Sequence, residues 1–517
     1  KKAPIEIEQA PQDEHPATDT SLQQQVNWIL PLCLSHAAAA WGERSWEFGA
    51  GLLLLRIHQE AGKDDRALRL TAILVLFECA ACSLLSSRIG QAVDSTSFLS
   101  SAIVTLAIQN IGIAAAAGFL VFAFYNNEQD NLLLPAGAIA CSVVARLASV
   151  GSTIAVEKKW VTALSHHHSQ HVYGRLDSQE LDTANDSSIA VRGDVKLDDH
   201  HDETDESVEP EIRVKPQCSI LSQVNARLRC IDLTCNLCAP IAVGFLLERT
   251  SPADAAISIA AFNALAWPVE VLCLFWIYRR YQNVLSTKEV ASVKLNPQQG
   301  NGSHAPRMIM CESCMLYYKQ IIFRSALALA VLYFSVVSFG TLMTAWFAAS
   351  GFHAGHLGAA RALAALSGML STVATPRLVP ALGLETAGLG FIWFMWFCIL
   401  PCSIVSFYAS DHVAFLWIIV ASVIVSRFGL WGFDLCVTQL LQERIEPPEK
   451  IGQVNGTQVA LQNAFDALAA LSCVLLPNPD TFCYLILGSF GSVTIAALVH
   501  LCQWRLESRL MLSTKNS

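Results

Sequence analysis

In the segment WGERSWEF, Glu43 and Glu47 lie four residues apart inside a stretch that is otherwise apolar, between WILPLCLSHAAAA and GAGLLLLRI. A helix places both on one face. Two carboxylates there would suit a cation, and Arg44 between them is expected to pair with one of the two. Further ionisable groups interrupt other apolar stretches: Asp232, Glu270, Asp434, Asp466 and His500. Asp232 and Asn236, in CIDLTCN, repeat the spacing of four. Gln109, Asn110, Asn263, Gln458 and Asn463 add amide oxygens. Ionisable groups at such positions normally face a bundle interior or an aqueous path and mark function. Carboxylates, amides and one imidazole together suit a divalent metal ion. For Asn463 and Asp466 the plainer role is to cross-link helices, and for Asp434 it is to lock a gate.

The elements that carry these groups follow from composition. Of 517 residues, 53% are hydrophobic and only 15% are charged, where a soluble domain carries about 25% charged residues. Apolar windows of about 20 residues, the length of a lipid-spanning helix, recur about twelve times, from 26–52 to 480–504. The windows at 356–374 and 452–476 are the most polar of them. They are too long and too continuously apolar for barrel strands. The expected fold is an all-α integral membrane bundle of two six-helix lobes. Residues 1–25 read as a polar tail and 26–159 as amino-lobe helices 1–4. A disordered His- and Asp-rich connection follows at 160–227, then helices 5–6 at 228–278. Residues 279–321 link the lobes, 322–506 form carboxy-lobe helices 7–12, and 507–517 are a tail. The chain contains no nucleotide-binding loop and no nucleic-acid signature, and the span count excludes a soluble enzyme. Most of its 17 cysteines sit inside the windows as small hydrophobes. CESC, at Cys311 and Cys314, has no second pair near it and does not read as a zinc site.

Charge sets the expected orientation. The connection after the sixth window carries Arg279, Arg280, Lys288, Lys294, Arg307, Lys319 and Arg324 against Glu289 and Glu312, a basic excess that reads as cytoplasmic. Both termini then lie in the cytoplasm. Arg56, Lys63, Arg66 and Arg69 in the first loop run against this orientation. The 160–227 connection contains SHHHSQH and LDDHHDETDE, a composition that builds no core and can bind divalent metal weakly. RIGQAVD at 88–94 and TPRLVPALG at 375–383 form a weak pair of the loop signatures common in major facilitator transporters. Gly90 would permit close passage there, and Asp94 would cap the helix that follows.

Longer segments carry a resemblance to a family. LSHAAAAWGERSWEF at 34–48, NARLRCIDLTCNLCAPIAVG at 225–244, RFGLWGFDLCVTQLLQE at 427–443 and KIGQVNGTQVALQNAFD at 450–466 resemble the ferroportins, the iron-exporting branch of the major facilitator superfamily. The resemblance implies export of ferrous iron, with Co²⁺, Mn²⁺, Ni²⁺ and Zn²⁺ as related substrates, by alternating access with proton antiport. It places the amino-lobe metal site at Glu43 and Glu47, where the family has an Asp and a His, and this predicts a harder and more anionic site. In the carboxy lobe it points to His500 and to Thr341, which stands where vertebrate relatives have a Cys. Peptide-hormone regulation, which needs that Cys, is therefore not expected. A Ca²⁺ pocket is implied at Glu43, Gln109, Asn263 and Glu270. A cytoplasmic gate is implied at Arg88, Asp94, Asp232 and Arg427, with Asn236 and Asp434 beside it. The expected setting is a monomer in the plasma membrane, or in a vacuolar or organelle membrane, with metal ions, protons and lipid as its partners and no cofactor. Two other classes stay open on the residues alone: a facilitator-type carrier for an organic solute, and a metal-sensing membrane protein that transports nothing.

Overall fold

The computed structural model describes residues 27–60, 67–125, 133–167, 217–285, 306–337, 343, 346–347, 354–406, 413–476 and 481–515. A chain in lipid must satisfy its backbone groups internally, and the apolar windows accordingly form helices. In the amino-terminal half these are α1 (Ile29–Glu60), α2 (Ala67–Ser95), α3 (Phe98–Tyr125), α4 (Leu133–Thr153), α5 (Gln217–Arg249) and α6 (Pro252–Arg280). Helix α4 runs on through a π-helical stretch, Ile154–Trp160. The carboxy-terminal half holds α7 (Pro306–Tyr318), α8 (Phe323–Val331), α9 (Ala354–Leu382), α10 (Leu384–Val405), α11 (Val413–Glu443), α12 (Ile451–Leu475) and α13 (Phe482–Lys515). Among the described residues nine helices are long and apolar enough to cross a bilayer, or ten if the bent pair α7–α8 is one span. That is fewer than the twelve windows suggest. Polar residues in mid-helix keep α1 and α12 out of the set. Large apolar side chains such as Leu76, Ile111, Leu265, Leu370 and Phe397 turn outward, as a lipid-facing surface requires.

Two lobes are visible in the packing of the core. The largest cluster draws its buried members only from 317–497. The amino-terminal clusters draw theirs from 28–285. The lobes meet where α2 runs along α12 and where α5 lies against α9 and α11.

The α2–α12 contact is made backbone to backbone. A Cβ on Gly90 would lie 1.9 Å from the Gly452 carbonyl oxygen, and one on Gly456 would lie 2.3 Å from that of Ser86. Asp94 fastens this crossing: Oδ1 accepts from the Gly452 amide at 2.8 Å and Oδ2 from the Gln453 amide at 2.7 Å. It therefore caps α12 of the opposite lobe, whereas the sequence alone points to the helix that follows it. Ser97 takes that local role, its Oγ accepting from the Ser100 amide at 3.2 Å.

Two other expectations are corrected. Residues 160–167 and 217–227, read as part of a disordered connection, are helical. Trp160, Val161 and Leu164, and across from them Leu221, Val224 and Leu228, are buried in one cluster, which extends both helices. The window 322–348 is not a continuous helix. α7 and α8 meet at a bend of 109°, and α8 ends in a tight turn at Phe334 with Ser335 extended. Ser335 Oγ accepts from the Val337 amide at 3.3 Å, and Ser489 Oγ accepts from the Val336 amide at 2.9 Å. Serine side chains thus take up the amides released by the break. Gln458 of α12 braces the bend, accepting from Tyr317 Oη and donating to the Ala326 carbonyl at 3.1 Å.

Replacing Gly90 by Val should separate α2 from α12. Overpacking of this kind costs about 1–3 kcal/mol, so the thermal unfolding midpoint in nanodiscs should fall. A cysteine pair placed across the crossing should lose its cross-linking yield. An unchanged yield would contradict the backbone contact.

Candidate functional site

A cavity of about 280 Å³ lies between the lobes, lined by α1, α3, α4 and α5 on one side and α8, α11 and α12 on the other. Glu43 stands in its wall with both oxygens engaged by α4. Arg146 donates to Oε1, and Ser149 Oγ donates to Oε2 at 2.7 Å. Arg146 and Ser149 are three apart, so one face of α4 presents both donors. Arg44, which also borders the cavity, pairs with Glu47 at 2.7 Å, as the sequence suggests for one of the acids. The Glu47 side chain is 52% exposed and that of Glu43 22%, so the two do not share one environment. Each acid is balanced by a guanidinium, and the more anionic site expected from the sequence is locally neutral. Gly42 lets Asn263 of α6 come close, since a Cβ there would lie 2.3 Å from Asn263 Oδ1.

One end of the cavity is closed by polar contacts. His36 lies seven residues before Glu43, on the same face of α1 two turns earlier. Its Nε2 is 3.0 Å from Asp232 Oδ1 and its Nδ1 is 3.6 Å from Glu157 Oε1. Arg229, one turn before Asp232 on α5, crosses between the lobes to pair with Asp434 of α11. Gln442, also on α11, donates to the Glu157 carbonyl at 2.9 Å and to Asn225 Oδ1 at 3.3 Å. These bonds and the Asp94 cap draw the lobes together at one end of the bundle.

The remaining residues singled out by sequence scatter around this centre. Gln109 lines the cavity with Glu43. Asn263 and Glu270 are buried on α6; Asn263 Nδ2 donates to its own helix at 2.9 Å, and Glu270 Oε2 is buried without a partner. Asn463 and Asp466 of α12 line the cavity, and Asp466 Oδ2 accepts from Cys79 Sγ of α2 at 3.8 Å. Asn236 is exposed, and Arg88 is half-buried near the end of α2. Arg427 donates to the Val337 carbonyl, so it holds the unwound end of α8 within the carboxy lobe. His500 is buried in that lobe and apart from the cavity. Its Nδ1 is 3.0 Å from Ser325 Oγ and its Nε2 3.1 Å from the Glu385 carbonyl, in space left by Gly388. Thr341 lies outside the described residues. Among those residues, no three His, Cys, Asp or Glu side chains converge as a ready metal cage. Sequence reasoning missed His36, Arg146, Ser149, Glu157 and Arg229. His36 carried a signal, its spacing of seven from Glu43. Arg146 carried one too, as a charge inside an apolar stretch, but its partner, like that of Glu157, lies far off in the chain and could not be read.

Comparison with known proteins adds the family. The family described as Ferroportin1 (FPN1) matches residues 27–178 and 215–493. The chain belongs to the ferroportin family. Its members are transporters and not enzymes. Rice solute carrier family 40 member 1 is 28% identical over 488 residues, covering 91% of this chain and 89% of its own. Human ferroportin is 23% identical over 572 residues, covering 92% and 90%. A bacterial ferroportin homologue solved in an outward-facing state superposes with a TM-score of 0.68 at 20% identity, over 92% of this chain and 99% of its own. The inward-facing form gives 0.55 at 19%, over 92% and 98%. The proton:xylose symporter XylE gives 0.57 at 11%, over 93% and 96%. This ferroportin-family chain therefore has the major facilitator fold.

Arg229–Asp434 is a charged tie between the lobes, and a double-mutant cycle can test it. Combining Arg229→Ala with Asp434→Ala should show a coupling of about 0.5–3 kcal/mol in thermal unfolding. Strictly additive effects would mean that the pair does not hold the lobes.

Proposed function

We propose that this chain exports a divalent transition metal, ferrous iron first, by alternating access between its lobes in exchange for protons. The observation that carries the reading is Glu43, a carboxylate at the family's first-helix position, standing in the wall of a cavity between the lobes. Gln109, Asn463 and Asp466 line the same space, and they add the oxygen donors that a hydrated or partly hydrated M²⁺ needs. In this reading Glu43 is the amino-lobe ligand and Asp466 the acid that the carboxy lobe presents. Glu47, one turn further along α1 and more exposed, draws ions towards Glu43. His500 enters only in a conformer in which it has left Ser325.

A carboxylate must be deprotonated to hold metal, so protons arriving at the same oxygens compete with the ion. At Asp466, to which no guanidinium is bonded among the described residues, that competition supplies the antiport. The closed end, from Asp94 to Asp434, faces the cytosol in this reading, with both termini on that side. The conformer is then the outward-open one. The higher TM-score to the outward-facing homologue supports this, as do the polar bonds that close the end formed by His36, Glu157, Arg229 and Asp434. The protein works as a monomer in the plasma membrane, with no hormone switch at Thr341.

Proteoliposomes holding the purified chain should move Fe²⁺ and Co²⁺ faster when protons are supplied on the side opposite the metal. Glu43→Ala combined with Glu47→Ala should lower that flux about tenfold or more. Flux indifferent to the pH gradient would remove the antiport, and full flux in the double variant would remove the site. A wild type that moves no divalent ion would return the chain to the organic-solute or metal-sensing classes.

A further inference from the structure

Among the described residues, Arg146 is the group bonded to Glu43 that carries a charge of the same sign as the proposed cargo. Its guanidinium holds Oε1 while Ser149 holds Oε2, so a metal ion cannot take both oxygens until α4 lets go. Arginine does not deprotonate in proteins, and a proton cannot dismiss it from the site. From this contact we propose that Arg146 is a tethered counter-cation. It pairs with Glu43 when no metal is bound and is displaced by the metal on loading. It pairs again when the metal leaves, so that the lobes can close over a neutralised carboxylate. The proposal rests on the reading of Glu43 as a metal ligand.

Three observations favour an exchangeable pair over a fixed brace. The side chains are 33% and 22% exposed, and both border the cavity, so a water-borne ion reaches them without unfolding anything. A displaced guanidinium also has somewhere to go: Glu47 and Glu78 lie within electrostatic range of Arg146, and Asp466 of the opposite lobe feels its charge as well. Finally, Arg44 is committed to Glu47, so among the groups bonded to Glu43 only Arg146 supplies a positive charge. An unpaired carboxylate is costly in a closed, low-dielectric bundle, and that cost would fall on the return of the unloaded carrier. The tethered cation removes it. Metal and guanidinium thus compete at one oxygen pair, and the arginine weakens metal binding in order to speed the return.

The test uses the full chain with Co²⁺ as the probe. Binding is measured by calorimetry in nanodiscs, and net efflux and Co²⁺/Co²⁺ exchange are measured in proteoliposomes. Arg146→Gln should bind Co²⁺ about tenfold more tightly, the loss of one charge-assisted contact that competes with the ion. Its net efflux should fall while exchange, which needs no unloaded return, is kept. Arg146→Lys retains the charge but not the planar fork; it should bind Co²⁺ somewhat more tightly than wild type and keep net efflux, and it stands in if the Gln variant does not fold. Unchanged or weaker Co²⁺ binding in the variants, or efflux and exchange falling together, would overturn the counter-cation. Binding in the wild type that Glu43→Ala abolishes but Arg146→Gln leaves unaltered would sink this role alone. If neither wild type nor Arg146→Gln binds or moves Co²⁺, the metal reading itself falls, and the counter-cation with it.

Discussion

Glu43 stands at mid-bundle, where a carboxylate without a partner costs several kcal/mol, and the polar architecture is organised around matching charges of that kind. Arg146 meets Glu43, Arg44 meets Glu47, Arg229 meets Asp434, and His36 sits between Asp232 and Glu157. Most of these pairs join different helices, so neutralising the charge also fixes which helices become neighbours. The same constraint explains why the bonds at the closed end are side-chain ties. A helix that must carry an ionisable group through lipid needs a partner helix at that depth.

The division of labour between core and ties gives the molecule its two-body character. Each lobe packs its own apolar cluster, and at the closed end hydrogen-bonded and charged pairs tie the lobes beside the backbone crossing of α2 and α12. Apolar packing is hard to break and remake, whereas a handful of hydrogen-bonded pairs can be exchanged for water or for other partners. That division is what the proposed alternating access requires of the two lobes. The break after α8 adds a second irregular place, held by Ser335, Ser489 and Arg427.

Much of this was legible in the sequence, and the limits are physical. Apolar runs declared the helices, including those at 354–382 and 451–475 that looked too polar. The spacing of Glu43 and Glu47 showed correctly that both lie on α1, and Arg44 beside them declared one ion pair. Which arginine would meet Glu43 was not legible, because Arg146 lies 103 residues away and partner choice over that distance is set by how helices pack. For the same reason the sequence points Asp94 to its own neighbourhood, while its partner amides are on α12. His500 reads as an ion ligand in one dimension, and in three it is a core imidazole with both nitrogens engaged.

The glycine crossing of α2 and α12 has a thermodynamic side. Side chains that interlock at an interface lose rotamer freedom each time it forms, up to about 2 kcal/mol for each long residue. Gly90, Gly452 and Gly456 have no rotamers to lose. When the lobes part and meet again, this contact re-forms without that entropic penalty, and it accepts only one relative position of the two backbones. In the proposed cycle this joint would be exact in register yet light to reset, which leaves the Asp94 cap and the charge pairs to decide how long the closed end stays closed.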